Sequence, residues 1–294
     1  MNIFLLWIAG IVLLIAAIID IKTREVPDFI SYSFIAISLG ANAISSAAQM
    51  SFIPLLESLL GFLAAFCLGW ALFYMGQWGG GDSKLLMGLG AAFGIPLTTE
   101  FPFVRIFPLP FMFSMLTNMI IVGAFYAILM AFFLAVQNRK AVKEKSAELF
   151  KQTRKWRIPM LAGVVAASML TIFFAKGIER NLLLILLLIC AAFSYFWVFV
   201  KAVEEGAMKK WVSPEKVTEG DWFAESVIIG KKTIVSSKDP GITREQMKEL
   251  MAAYKKGKVK RVKIKEGIPF VPNFFASYIA TIIFGSILLR FIII

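Results

Sequence analysis

Four carboxylates lie in or at the edge of the first four apolar stretches of the chain: Asp20, Asp28, Glu57 and Asp82. Ionisable groups at membrane depth are costly and mark candidate functional sites. Asp20 closes the first stretch, Asp28 precedes the second and Asp82 precedes the fourth, so all three fall at one membrane level. Glu57 falls toward the opposite surface and reads as interfacial and structural. Two carboxyl groups within a few ångströms of one another cannot both ionise, so one keeps a proton. The ionised member can take a proton from water while the protonated member polarises a carbonyl. Amide hydrolysis by that route needs neither histidine nor thiol. The chain has no histidine, and its only cysteines, Cys67 and Cys190, sit inside apolar stretches. They offer no CxxC metal site or disulfide framework, and no cofactor is expected.

The residues around the acids carry further signals. In Gly79-Gly80-Gly81-Asp82 the missing Cβ atoms let backbone approach a substrate closely, so an unwound segment could lie beside Asp82. The plain structural alternative is a turn with Asp82 as N-cap of a helix beginning at Ser83. The loop Asp20-Ile21-Lys22-Thr23-Arg24-Glu25-Val26-Pro27-Asp28 holds two basic and three acidic residues and is closed by proline. Pro27 favours an extended path before it and a helix after it. Lys22 and Arg24 also suit simple membrane anchoring, and Asp28 suits the N-cap of the second helix.

The elements that must position these groups are membrane helices. Of 294 residues 59% are hydrophobic and 17% charged, against about 45–50% and about 25% in soluble domains. The composition predicts an all-α polytopic membrane protein of about eight (six to eight) transmembrane helices. The apolar stretches are 3–21, 29–48, 52–75, 83–97, 111–137, 158–175, 182–200 and 270–294. The first has no basic n-region and no A-x-A-like site, so it is expected to be a retained helix. The fourth is short: fifteen residues rise about 22 Å. It either crosses with help from Pro96, Pro102, Pro108 and Pro110 or forms a re-entrant loop. With the N-terminus outside and every stretch crossing, 27 of the 31 basic residues fall inside. That bias supports the topology, which puts Asp20, Asp28 and Asp82 at the cytoplasmic face.

The expected organisation is a helical domain over 1–201, a cytoplasmic insert over 202–269 and a final helix over 270–294. In the insert, Trp222 to Ile229 and Thr233 to Ser236 read as a hairpin around Gly230-Lys231-Lys232. Thr243 and Gln246 form a capping box opening a helix from Arg244 to Lys256, with Gly257 closing it. Val259 to Lys265 alternates apolar and basic residues as a half-buried strand does. This small β-β-α-β module is expected to cap or dock, with Lys255, Lys256, Lys258, Lys260, Arg261, Lys263 and Lys265 available to anionic lipid or simply solvated.

Together the loops resemble those of the type IV prepilin peptidases, the GxGD aspartic membrane proteases, in the archaeal form that includes the preflagellin (archaellin) peptidases. One family motif is an aspartate ending the first helix, then a basic residue, an arginine and a proline, matched by Asp20, Lys22, Arg24 and Pro27. The second is GxGD with a following lysine, matched by Gly79-Gly80-Gly81-Asp82-Ser83-Lys84. A weaker echo is Gly267-Ile268-Pro269-Phe270-Val271-Pro272. The resemblance implies that Asp20 and Asp82 are the catalytic pair of an endopeptidase. Its implied substrates are archaellin or type IV pilin-like precursors, whose class III signal peptides are cut at the cytoplasmic membrane face. Gly79, Gly80, Gly81, Lys22, Arg24, Glu25, Pro27, Asp28 and Lys84 are then assigned to substrate binding, with Glu25 and Asp28 receiving basic residues of the leader. Bacterial members often carry a CxxC module and N-methylate the trimmed product. Nothing comparable occurs here, so peptidase activity without N-methyltransferase activity is expected. Expected partners are precursor substrates and membrane lipids, with no nucleic acid.

Three rivals predict different things, one of them a non-catalytic assembly protein of a pilus machine. The presenilin group pairs GxGD with Tyr-Asp and Pro-Ala-Leu, but here Ile19 precedes Asp20 and no Pro-Ala-Leu occurs. A transporter or channel would use Asp20, Asp28 and Asp82 as an ion or proton site.

Overall fold

A computed structural model of the chain describes residues 2–97, 109–230, 232–239 and 241–293. Six of its helices are long and apolar enough to cross a membrane, and the chain is an all-α polytopic membrane protein with a small strand-containing insert. It divides into two compact units, Met1–Ile128 with Gly267–Ile294, and Leu129–Glu266.

In the first unit, α1 (Ile3–Thr23), α2 (Asp28–Ala48), α3 (Ile53–Tyr74) and α4 (Gly80–Phe93) pack in succession. They are joined by the start of α5 (Phe111–Gln137), by α10 (Val271–Phe284) and by α11 (Ile287–Ile293). The short α4 is the hub. Leu85, Leu86 and Leu89 are fully buried against α1, α2 and α3. Small residues permit that approach, as in other membrane helix pairs. A Cβ on Gly61 would lie 2.2 Å from the Gly90 carbonyl oxygen, and one on Gly88 2.3 Å from the Phe34 ring. The carbonyl of Ala91, left over at the end of α4, accepts from Asn42 at 3.0 Å and Ser58 at 2.5 Å. A helix end away from water needs such partners. Glu57 belongs to the same end. Its carboxylate accepts from the Leu97 amide at 2.8 Å and its carbonyl from Ile95 at 2.9 Å, which bears out its structural reading. Of the prolines proposed to extend the fourth stretch, Pro102 and Pro108 lie outside the described residues.

The stretch 270–294 is not one helix. It breaks at Gly285, whose φ is +63°, because buried Asn118 of α5 binds both sides of the break. Asn118 donates to the Gly285 carbonyl at 2.7 Å and to Thr281 at 2.9 Å, and its carbonyl accepts from Ile287 N–H at 3.0 Å. The apolar composition across 270–294 hides this internal stop.

The second unit contains α6 (Arg139–Gln152), α7 (Arg154–Phe174) and α8 (Gly177–Val203), the last ending in a π-turn over Glu204–Met208. Buried Val142, Leu149, Val198, Ala202 and Ala207 join α6, α8 and that turn. The polar segment 138–157 is thus mostly a helix of its own. Among the described residues the insert has five strands: β1 (Lys209–Val212), β2 (Trp222–Phe223), β3 (Val227–Ile229), β4 (Lys232–Val235) and β5 (Val262–Lys265), with α9 (Arg244–Lys255) after β4. Two expectations change here. The run Trp222–Ile229 is split: β2 pairs with β5, and β3 pairs with β4. Ala224 N–H still bonds the Lys263 carbonyl at 2.8 Å, so the chain follows β5 to that point and then turns into the hairpin. The second change is β1, a four-residue strand antiparallel to β5 and too short to announce itself by alternation. The capping box holds, with Gln246 N–H to Thr243 Oγ1 at 3.3 Å and Thr243 N–H to Gln246 Oε1 at 2.9 Å. Gly257 closes the helix with a φ of +68°. In β5, Val262 and Ile264 are buried as the alternation requires.

Candidate active site

Asp20 lies within the last turn of α1, one turn before its end, and is only 5% exposed. Its carboxylate does not cap its own loop. Oδ2 accepts the Val271 backbone N–H at 2.9 Å, with the Phe270 amide as a second donor and the charge of Arg24 in reach. The first N–H groups of a helix have no partner within it, so Asp20 caps α10 from 251 residues away. The chain leaves α1 through Arg24, which sits in the left-handed region at φ +60°, an uncommon conformation for a residue with a side chain. Its N–H bonds the Asp20 carbonyl at 2.8 Å.

Asp82 is held differently. It is the third residue of α4, not the N-cap before it; the helix begins at Gly80 with Gly79 as its cap. Oδ2 of Asp82 accepts the Gly79 N–H at 3.0 Å, the carboxylate half of a capping box. The helix therefore starts three residues earlier than the apolar pattern indicates, and draws two of the three glycines into its first turn. Gly81 sits against the other loop: a Cβ there would lie 3.0 Å from Val26 Cβ. Gly79 and Gly80 meet no second-loop atom that closely. Asp82 lies within electrostatic reach of Asp20.

Asp28 is the first residue of α2, with Pro27 in the cap position. Its carboxylate is paired with the ammonium of Lys84, which also stands 5.2 Å from the Tyr32 ring centre. That pair ties α2 to α4. Glu25 and Lys22 are exposed, and the Glu25 amide bonds Thr23 Oγ1 at 3.4 Å. The structure thus pairs Asp28 with Lys84, sets Gly81 against Val26 and puts Asp82 within electrostatic reach of Asp20, while Lys22 and Glu25 are exposed in the first loop.

Other participants give no signal in composition. Trp78, just before the glycines, packs on Phe270 and Phe274 with ring centres 5.8 and 5.3 Å away. Tyr126 donates its hydroxyl to the Pro269 carbonyl at 2.6 Å. The echo at Gly267–Pro272 pointed to this segment, but nothing marked the backbone amide of Val271 as the partner of Asp20. Among the described residues, no group of three or more acids, cysteines or histidines could hold a metal.

Residues 7–136 match the family model described as the type IV leader peptidase family. A preflagellin peptidase of Methanocaldococcus jannaschii is 40% identical over 84 residues, 29% of this chain and 36% of that protein. One from Methanococcus voltae is 40% identical over 79 residues, 27% of this chain and 34% of the relative. One from Methanococcus maripaludis is 38% identical over 97 residues, 32% of this chain and 41% of the relative. The matches thus span little more than a third of these relatives' length. The stretch that matches the type IV leader peptidase family model, residues 7–136, contains both aspartate loops.

Proposed function

We propose that this chain is an intramembrane aspartic endopeptidase that removes class III signal peptides from archaellin or type IV pilin-like precursors. The observation that carries the reading is the meeting of the two loops. Asp20 and Asp82 stand within electrostatic reach, and the glycine backbone at position 81 touches Val26 of the other loop. Asp20 and Asp82 share the work: one ionised carboxylate activates water and the other, protonated, polarises the scissile carbonyl. Such a pair titrates as a unit. The preflagellin peptidases among the similar proteins support this substrate class, and the excess of Lys and Arg in the loops on this side supports a cytoplasmic active face.

An extended precursor segment lies along Gly79–Gly81, because only backbone without Cβ lets it reach Asp82. The rim carboxylates Glu25 and Asp28 receive the basic residues ahead of the cut. Asp28 does so in exchange for Lys84, its present partner. The activity is peptidase only, since Cys67 and Cys190 form no CxxC pair. Membrane lipids contact the exposed apolar faces of the helices and the basic segment at the end of α9.

Co-expression with a precursor carrying a basic leader tests the reading. The wild-type chain shifts the precursor on a gel, and Asp20→Asn and Asp82→Asn each abolish the shift while inserting normally. A shift that persists in either variant removes the proposal. An ion-transporting protein produces no shift in any version.

A further inference from the structure

The capping of α10 by Asp20 makes the segment 267–272 part of the site, and one side chain outside both motifs holds that segment. Tyr126 belongs to α5, which runs antiparallel to α10 along a stripe of one α5 face. Near the far end Asn118 binds Thr281 and Gly285. One residue on, the Met119 carbonyl accepts from Asn273 at 3.3 Å. A turn later, a Cβ on Gly123 would come within 2.8 Å of Asn273 Nδ2. The stripe ends at Tyr126, whose hydroxyl bonds Pro269. Residues 119, 123 and 126 recur at helical spacing and so share one face. Asn118, Asn273 and Thr281 are fully buried, and the Asn118–Thr281 and Asn273–Met119 bonds tie the two helices together.

From Tyr126 the path to Asp20 is short. The phenol holds the carbonyl of Pro269; the next two amides, of Phe270 and Val271, point at the Asp20 carboxylate. Asp20 itself lies within electrostatic reach of Tyr126. We propose that Tyr126 is a positioning residue: by anchoring the Pro269 carbonyl it aims the Phe270 and Val271 amides and so fixes where the Asp20 carboxylate stands relative to Asp82. The inference rests on the reading of Asp20 as one of the reacting carboxylates. Tyr126 need not touch substrate.

The test uses the full chain in detergent and a synthetic precursor peptide with a basic leader, a cleavage junction and the first hydrophobic turns. Tyr126→Phe keeps the ring and removes only the hydroxyl. A carboxylate displaced by a fraction of an ångström lowers kcat by about tenfold with KM within about twofold. Proton transfer to the misplaced base then limits the rate more strongly, so the solvent deuterium isotope effect on kcat rises. A loss of folded enzyme would lower kcat and leave that isotope effect unchanged, which overturns the assignment, as does an unchanged kcat. If Tyr126→Phe does not fold, Gly123→Ala provides the second route. Its Cβ pushes α5 from Asn273 and carries the phenol from Pro269, and the same kinetic signature is expected. Normal isotope effect and normal kcat in folded Gly123→Ala overturn the proposal. Asp20→Asn run alongside separates the two readings: residual turnover there sinks the catalytic role of Asp20 itself, whereas an inactive Asp20→Asn with a normal Tyr126→Phe sinks only the positioning role.

Discussion

The two aspartate loops hold their acids in opposite ways. Asp82 is fixed by Gly79, three residues away, inside the first turn of its own helix. Asp20 is fixed by Val271, 251 residues away, at the start of a helix that the chain reaches only after the whole second unit. The Asp82 carboxylate is thus held within its own helix start, while the Asp20 carboxylate depends on the closing of the bundle. A perturbation near Asp82 acts through α3 and α4. A perturbation near Asp20 arrives through α5 and α10.

The largest expected effect breaks the support of the local loop. At Gly61 a Cβ would meet the Gly90 carbonyl oxygen at 2.2 Å, and backbone cannot step aside as a side chain can. Gly61→Ala should force α3 from α4 and cost about 3 kcal/mol, seen as a drop of several degrees in Tm in detergent. An unchanged Tm would show that α4 is not the hub described. Next comes the contact between the loops. Gly81→Ala sets a Cβ 3.0 Å from Val26 Cβ, so the loops part by a few tenths of an ångström. Cleavage should slow by about tenfold with little change in Tm. Equal slowing of folding and cleavage would instead mean a packing role.

A smaller effect sharpens the comparison at the rim. The Asp28–Lys84 pair is partly exposed, with Asp28 63% accessible, and such pairs contribute at most about 1 kcal/mol. Asp28→Asn should leave stability nearly unchanged and lower kcat/KM about fivefold for a basic-leader precursor. A neutral-leader precursor should be unaffected. Identical losses for the two substrates would exclude Asp28 from leader recognition. The smallest effect lies in the other unit. Thr243→Ala removes the α9 cap and should destabilise the insert by about 1 kcal/mol, visible as faster hydrogen exchange over 244–255. Tm of the membrane helices should not move.

This comparison also explains what the sequence made legible. The capping box at Thr243 and the alternation in β5 are short-range patterns, and each is found where local physical chemistry puts it. The helix start at Gly80 was shifted because glycine carries no apolar signal, so the periodicity begins only at Leu85. Asp28 reads as an N-cap from its neighbours, yet Lys84, 56 residues on, takes its carboxylate. The break at Gly285 and the anchor at Tyr126 lie inside uniformly apolar runs. There, only a partner helix distinguishes one residue from the next. Long-range pairings of this kind leave no period in a single sequence.

The decisive measurement mixes purified chain in detergent with a synthetic precursor peptide and follows the products by mass spectrometry. One cut is expected, immediately before the hydrophobic stretch, made by the wild type and by neither Asp20→Asn nor Asp82→Asn, both variants remaining folded. Cleavage at that bond by either variant would contradict it.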